Sequence, residues 1–217
     1  MIINLNLESK KIIIIGGGKE AQKRINSLLK EKCEILVISD SVNLPIKKLI
    51  KTKKIKFFKQ KITDTKFIFR FKPDIIITTT NDANLNQKIL DTAKKGRIIA
   101  YSADNPKESD FSNPSVINLE NVIQIAIFTG GRSPTMSKKI RIQLEKILRK
   151  IITKEDIAQI KIQEIARILA KRKIETQKNR REFLKDIMMD KEIKQLIKEG
   201  KLKKAENRVN NILKEWK

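Results

Sequence analysis

The sequence predicts an α/β chain: a parallel sheet over residues 1–113, a small β-containing segment over 114–150 and a helical region over 151–217. Three observations carry that expectation. The runs Ile12 to Ile15, Ile35 to Ile38 and Ile75 to Ile77 are continuously apolar, which marks strands covered on both faces rather than half-exposed ones. Stretches of helical period separate these runs, as βαβ units require. Beyond Pro134 there is no proline and only one glycine, Gly200, so the rest of the chain reads as helix.

Taken in order, residues 1–10 lead as an edge segment into a first strand at 11–15. A helix over 19–31 follows, with Ala21, Ile25, Leu28 and Leu29 on one face and Lys23, Arg24 and Lys30 off it. A second strand is predicted at 34–39, a short helix at 45–52, and a third strand at 55–58 whose poor alternation suits a place near the sheet edge. Residues 63–71 read as a short helix or a loop in which Phe67, Ile68 and Phe71 cover the sheet. Pro73-Asp74 introduce a strand at 75–77, a helix runs over 83–95, and Arg97 to Ala100 form a fifth strand. Phe111 to Pro114 mark a boundary, after which 115–119 and 122–128 flank Glu120-Asn121 as a hairpin. In the helical remainder Ile140, Leu144, Ile147 and Leu148 make one apolar stripe, and similar stripes recur at 160–169, 183–188 and 209–213. Such stripes need partners, so this region is expected to pack on itself and against a second subunit.

The first strand breaks into Gly16-Gly17-Gly18 and continues as Lys19-Glu20-Ala21, a G-x-G-x-x-A spacing. Gly16 permits the tight turn, Gly18 lets the backbone approach a pyrophosphate, and Ala21 allows close packing of helix on strand; the positive end of that helix stabilises the phosphate charge. A glycine-rich turn without a ligand has the same spacing, so context has to decide. Asp40, directly after the second strand, stands where a ribose-binding acid belongs and favours NAD over NADP; an aspartate capping a turn is the other reading. Ligands of open parallel sheets bind beyond the carboxyl ends of strands, which sets Thr79, Thr80 and Asn81 beside the glycines, while Thr78 reads as a β-former closing its strand.

Thr129-Gly130-Gly131-Arg132-Ser133-Pro134 forms a second candidate anion site. Ser133 is a fitting N-cap and Pro134 a fitting first helical residue, and the glycine N–H groups and the guanidinium suit substrate carboxylates. Asp104, past the fifth strand with Tyr101 and Ser102 nearby, is expected to be a partly desolvated general base, with a turn-forming aspartate before Asn-Pro as the bland alternative.

Composition narrows the classes. No apolar run reaches about eighteen residues and the N-terminus lacks the shape of a signal peptide, so a soluble cytoplasmic protein with no membrane partner is expected. With no histidine and Cys33 as the single cysteine, an internal disulfide is excluded and no metal site is expected. A net charge of +24 and a pI near 10.1 attract polyanions. Lysines spread along the whole chain, and aromatic residues at only 5%, leave few stacking platforms for nucleic acid, so none is expected as a partner. A small polycarboxylate would meet the same field. A nucleotide-sensing DNA-binding regulator is the competing class, against which stands the lack of a recognisable helix-turn-helix.

Gly16-Gly17-Gly18, Thr80-Asn81-Asp82 with Asn86, Asp104 in ADNPKESDF, Pro114-Ser115 and TGGRSPTMSKKIRIQLE at 129–145, in that order and spacing, resemble the precorrin-2 dehydrogenase family, the dehydrogenase and ferrochelatase module of sirohaem synthesis. The resemblance covers residues 1–150 well and the helical tail loosely. It implies a Rossmann-like sheet, NAD as cofactor, oxidation of precorrin-2, a tetrapyrrole with eight carboxylates, to sirohydrochlorin, and a homodimer whose region after the Rossmann domain is exchanged between subunits. It aligns Asp104 with the family's essential aspartate, Lys19, Glu20, Asp40 and Ser41 with cofactor-contact positions, and Asn86 with a substrate-binding position. Chelation of Fe2+ or Co2+ into sirohydrochlorin, together with dehydrogenation or alone, stays open. Tyr101 and Ser102 depart from the family's usual Asn and small apolar residue, and Phe128 from a small polar one.

Overall fold

The computed structural model describes residues 2–216. The chain divides into two compact units, Met1–Asn113 and Pro114–Lys217. The first runs β1 (Lys11–Ile15), α1 (Lys19–Leu28), β2 (Glu34–Ser39), α2 (Leu44–Lys51), β3 (Lys56–Lys59), α3 (Lys66–Phe71), β4 (Ile75–Thr78), α4 (Ala83–Lys95) and β5 (Ile99–Ser102). Its five strands are all parallel, in the order β3-β2-β1-β4-β5, so β3 is an edge strand and the order reverses between β1 and β4. That reversal opens a crevice at the carboxyl ends of the strands.

Both faces of the sheet are covered, which is why the isoleucine runs do not alternate. Ile12, Ile14, Val37 and Tyr101 pack with Ala21 and Ile25 of α1 and Ile46 of α2. On the opposite face Ile13, Ile15, Ile38 and Ala100 pack with Phe67 of α3 and Ile89 and Leu90 of α4. Burying a chain of such side chains supplies the main driving force for this unit.

Two boundaries differ from the sequence expectation. α1 ends at Leu28 rather than residue 31, because the chain must turn back into the sheet: Ser9 N–H donates to Lys32 O at 3.0 Å and Glu34 N–H to Lys10 O at 2.9 Å. β5 is Ile99–Ser102 rather than 97–100. Arg97 turns the chain in a left-handed conformation at φ 55°, and Ile98 N–H still bonds Ala93 O, so strand pairing begins only when Ile99 meets Ile75. The shift places Tyr101 and Ser102 inside the strand, on opposite faces.

The second unit opens with an antiparallel hairpin, β6 (Ser115–Leu119) and β7 (Ile123–Ile127). Glu120 and Asn121 both have positive φ, 52° and 58°, as a two-residue turn matched to strand twist requires. Among the described residues five helices follow: α5 (Pro134–Ile151), α6 (Lys154–Lys173), α7 (Gln177–Met189), α8 (Lys191–Lys198) and α9 (Leu202–Glu215). Ile162, Ala166, Phe183, Ile187, Ile193 and Val209 form the core among α6 to α9. α5 is different: among its described residues only Ser137 is buried, and Leu144, Ile147 and Ile151 are 36%, 51% and 66% exposed. Among the described residues no helix is long and apolar enough to cross a membrane.

Candidate functional site

A cleft of about 840 Å³ lies at the carboxyl ends of β1, β2 and β4. Gly16 to Gly18, Asp40, Ser41 and Thr79 to Asn81 all line it, so those predicted cofactor positions come together. The three glycines do different work. Gly16 has φ 111°, and a Cβ there would overlap Thr79 Oγ1, which donates to Ile15 O at 2.8 Å and locks β4 against the turn. A Cβ on Gly17 would overlap the Ser41 carbonyl oxygen and come within 2.9 Å of Val42 Cα, where the chain crosses after β2. A Cβ on Gly18 would meet nothing within 4 Å.

Gly18 is also the N-cap of α1 and carries no side chain to satisfy the first-turn N–H groups. Those donors and the helix dipole suit a phosphate. The open space over Gly18 gives a dinucleotide's pyrophosphate room that the protein's own packing does not claim. Asp40 is exposed at the end of β2, and the Ser39 and Ser41 hydroxyls both approach its Oδ1, at 3.4 and 3.3 Å. A carboxylate so placed can accept hydrogen bonds from two ribose hydroxyls and repels a phosphate on one of them.

Two expected contacts lie elsewhere. Lys19 and Glu20 do not line the cleft: Lys19 is exposed, and Glu20 is tied to Lys23 at 2.8 Å and Arg24 at 2.7 Å. The Lys23 hydrogen bond is the largest influence holding the Glu20 carboxyl below its ordinary range. Arg24 also donates to the Tyr101 hydroxyl at 3.0 Å and stacks on that ring, so Tyr101 faces α1 and takes no part in orienting Asp104. Conversely, Val42, Asn43, Gln60, Lys61, Ile62 and Leu85 line the cleft without having been singled out in the sequence. Gln60 to Ile62 follow the end of β3, and the same carboxyl-end rule that found Thr79 to Asn81 points to them.

Asp104 sits just past β5, an exposed residue whose carboxylate is nonetheless partly desolvated. One carboxylate oxygen accepts from the Ser102 hydroxyl. The shielding it does have, the largest single influence, would raise its pKa, but the hydrogen bonds from Ser102, Asn86 and the backbone N–H groups of Asp104 and Asn105 together outweigh this and hold the carboxyl below its usual range. Asn86, expected to touch substrate, is instead 1% exposed. Its amide donates to Thr80 O at 3.0 Å and its oxygen accepts from Thr80 Oγ1 at 2.7 Å, because the first turn of α4 buries it under the cleft wall. Asn86 therefore joins Asp104 to Thr80 and, through Thr80, to the cleft.

In the second unit Ser133 caps α5 by accepting from Met136 N–H at 3.2 Å. The Thr129 hydroxyl lies within hydrogen-bond reach of Ser133 O at 3.2 Å and Ser137 Oγ at 2.9 Å. Both predicted hydroxyl contacts are thus engaged internally. Gly130 and Gly131, at φ 64° and 74° with open space around them, and the exposed Arg132 remain available to an anion.

Residues 3–115 match a family described as "Putative NAD(P)-binding". A siroheme synthase of Vesicomyosocius okutanii subsp. Calyptogena okutanii (strain HA) is 30% identical over 146 residues, 67% of this chain and 30% of that protein. One of Buchnera aphidicola subsp. Acyrthosiphon pisum (strain APS) is 28% identical over the same length, with the same shares. The chain thus spans about 30% of the length of these curated relatives. The solved structure of SirC, precorrin-2 dehydrogenase, superposes with a TM-score of 0.71 over 97% of this chain and 99% of that one, at 19% identity, a likeness of fold. With the glycine corner, the acid after β2 and the threonine wall lining one cleft inside the matched span, the chain belongs to this NAD(P)-binding family.

Proposed function

We propose that the chain is an NAD-dependent precorrin-2 dehydrogenase that oxidises precorrin-2 to sirohydrochlorin in sirohaem synthesis and works in the cytoplasm. The observation that carries this reading is an exposed carboxylate, Asp104, tied through Asn86 and Thr80 to the wall of a dinucleotide cleft. The siroheme synthases among its relatives support it. NAD, when bound, supplies the hydride acceptor, so the substrate gives up a hydride and a proton. Asp104 is ionised at neutral pH and takes the proton. In the second unit the Gly130 and Gly131 N–H groups and Arg132 offer a site of their own for carboxylates, and the net charge of +24 raises the local concentration of a polyanionic macrocycle.

The deciding assay incubates the purified protein with NAD and precorrin-2. NADH and sirohydrochlorin should appear together, and no NADH would overturn the reading. Adding Fe2+ or Co2+ to the product then asks for chelation; insertion without any NADH formation would favour a ferrochelatase alone. Asp40 sets the cofactor preference: Asp40→Ala is expected to raise the NAD Kd by about tenfold, near 1.4 kcal/mol, while leaving NADP binding equal or tighter. An unchanged NAD-to-NADP ratio of Kd values would remove Asp40 from recognition.

We further propose a homodimer built on α5. Leu144, Ile147 and Ile151 recur at helical spacing on one exposed face, and Val116 and Phe128 are exposed on the segment preceding the helix. Ile147→Glu puts a charge into that face and should convert a dimer to monomer in light scattering at micromolar concentration. A wild-type protein that is already monomeric there would defeat this assignment.

A further inference from the structure

Ser102 lies in a part of the molecule that the cofactor cleft does not need. It is 0% exposed and stands opposite Thr78 in the β4–β5 register, so the two hydroxyls face α4 side by side at 2.7 Å. Thr78 is also 0% exposed. Hydroxyl protons are countable here. Ser102 has one proton and gives it to Asp104, so the bond between the two hydroxyls has Thr78 as donor and Ser102 as acceptor. The result is a one-way relay, Thr78 to Ser102 to Asp104, with its first two members sealed from water. The Ser102 backbone is itself pinned, its N–H donating to Ser109 Oγ at 2.9 Å and Ala103 N–H to Thr78 O at 3.0 Å.

Resting on the dehydrogenase reading for what the base does, we propose that Ser102, backed by Thr78, is the positioning residue for Asp104: its hydroxyl fixes one carboxylate oxygen and with it the orientation and charge of the proton acceptor. The arrangement answers a physical difficulty. A proton-accepting carboxylate covered by a macrocycle loses water, and desolvation favours its neutral form. A hydroxyl whose proton points at the carboxylate opposes that, because its hydrogen bond is stronger to the ionised form than to the neutral one. Burial of Ser102 and Thr78 keeps water from competing for the two hydroxyls themselves.

Charged groups around Asp104 are engaged elsewhere. On α4 and its cap, Asp82 accepts from Leu85 N–H, Asp91 from Gln87 and Lys94 pairs with Glu108, while Asp110 accepts the Ala100 N–H. Lys88 and Lys107 are exposed, and among the described residues no ion pair reaches Asp104. The change in its titration when Ser102 is altered should therefore report the hydroxyl donor, with the Asn86 and backbone hydrogen bonds kept.

The experiment follows the Asp104 side-chain carboxyl by carbon NMR against pH in the ligand-free protein, assigned by its loss in Asp104→Asn. In Ser102→Ala the Asp104 midpoint is expected to move up by about one pH unit, the loss of one charge-assisted hydrogen bond. Thr78→Val, of the same shape, should move it up by less, and Thr78→Ser should leave it at the wild-type position. In the NADH assay the acidic limb of kcat/KM should move up with the NMR midpoint, since the base must be ionised to act. A Ser102→Ala titration that superimposes on wild type overturns the proposal. If the midpoint moves as expected but the wild type makes no NADH, the relay stands and the dehydrogenase reading falls.

Discussion

Asp104→Ala is expected to lower kcat for NADH formation by about 10²- to 10⁴-fold, the usual contribution of a positioned general base, with NAD affinity unchanged. The expectation follows from geometry. Asp104 lies past β5, and the cofactor cleft is walled by the ends of β1, β2 and β4, so removing the carboxylate takes nothing from the dinucleotide's surroundings. Stability should change little, because the residue is exposed and its anchor Ser102 keeps Thr78 and the backbone around it. Asp104→Asn refines the test by keeping an oxygen for the Ser102 hydroxyl while abolishing the charge. If Asn restores turnover, Asp104 organises the loop and takes no proton. Calorimetric titration with NAD and steady-state kinetics on both variants separate these outcomes, and equal loss of binding and turnover would mean that the first unit had been disturbed.

The second large effect separates two adjacent glycines. Gly17→Ala should unfold or severely destabilise the first unit, because its Cβ would overlap the Ser41 carbonyl oxygen and lie within 2.9 Å of Val42 Cα, backbone that cannot step aside. Overpacking of this kind costs about 1–3 kcal/mol or more. Gly18→Val should leave the thermal midpoint near wild type, since φ −87° and ψ −162° are open to any residue and the space beyond is empty of protein atoms. It should nevertheless weaken NAD binding by at least about tenfold, about 1.4 kcal/mol, by filling the place of the pyrophosphate. Thermal unfolding and NAD titration of the pair give the answer. Tight NAD binding by Gly18→Val would show that the dinucleotide does not lie over the N-terminus of α1.

The glycine turn was legible because its chemistry is local: three glycines between an apolar strand and a helix leave few other conformations. The acid at Asp40 and the threonines after β4 were legible for a related reason, since strand ends of a parallel sheet share one edge wherever the sheet's order reverses. Gln60 to Ile62 fall under the same rule, but they follow the edge strand β3, whose poor alternation gives the sequence no sharp strand end from which to count. Glu20 was misplaced for a different reason. Its neighbours Lys23 and Arg24 sit three and four residues on along α1, where their ion pairs compete with any ligand for the carboxylate.

What the sequence alone determined was the order of strands and helices, the double covering of the sheet, the glycine corner, the acid after β2, the hairpin turn and the helical character beyond Pro134, because apolar period, glycine and proline act over a few residues. Tertiary structure decided the rest. The two-residue shift of β5 came from its pairing with β4, and only that register sets Ser102 against Thr78 and turns Tyr101 to the opposite face. The same packing buried Asn86 beneath the cleft wall and left Leu144, Ile147 and Ile151 of α5 exposed. Register and burial depend on partners far along the chain, and a local pattern carries no information about which partner a side chain will meet.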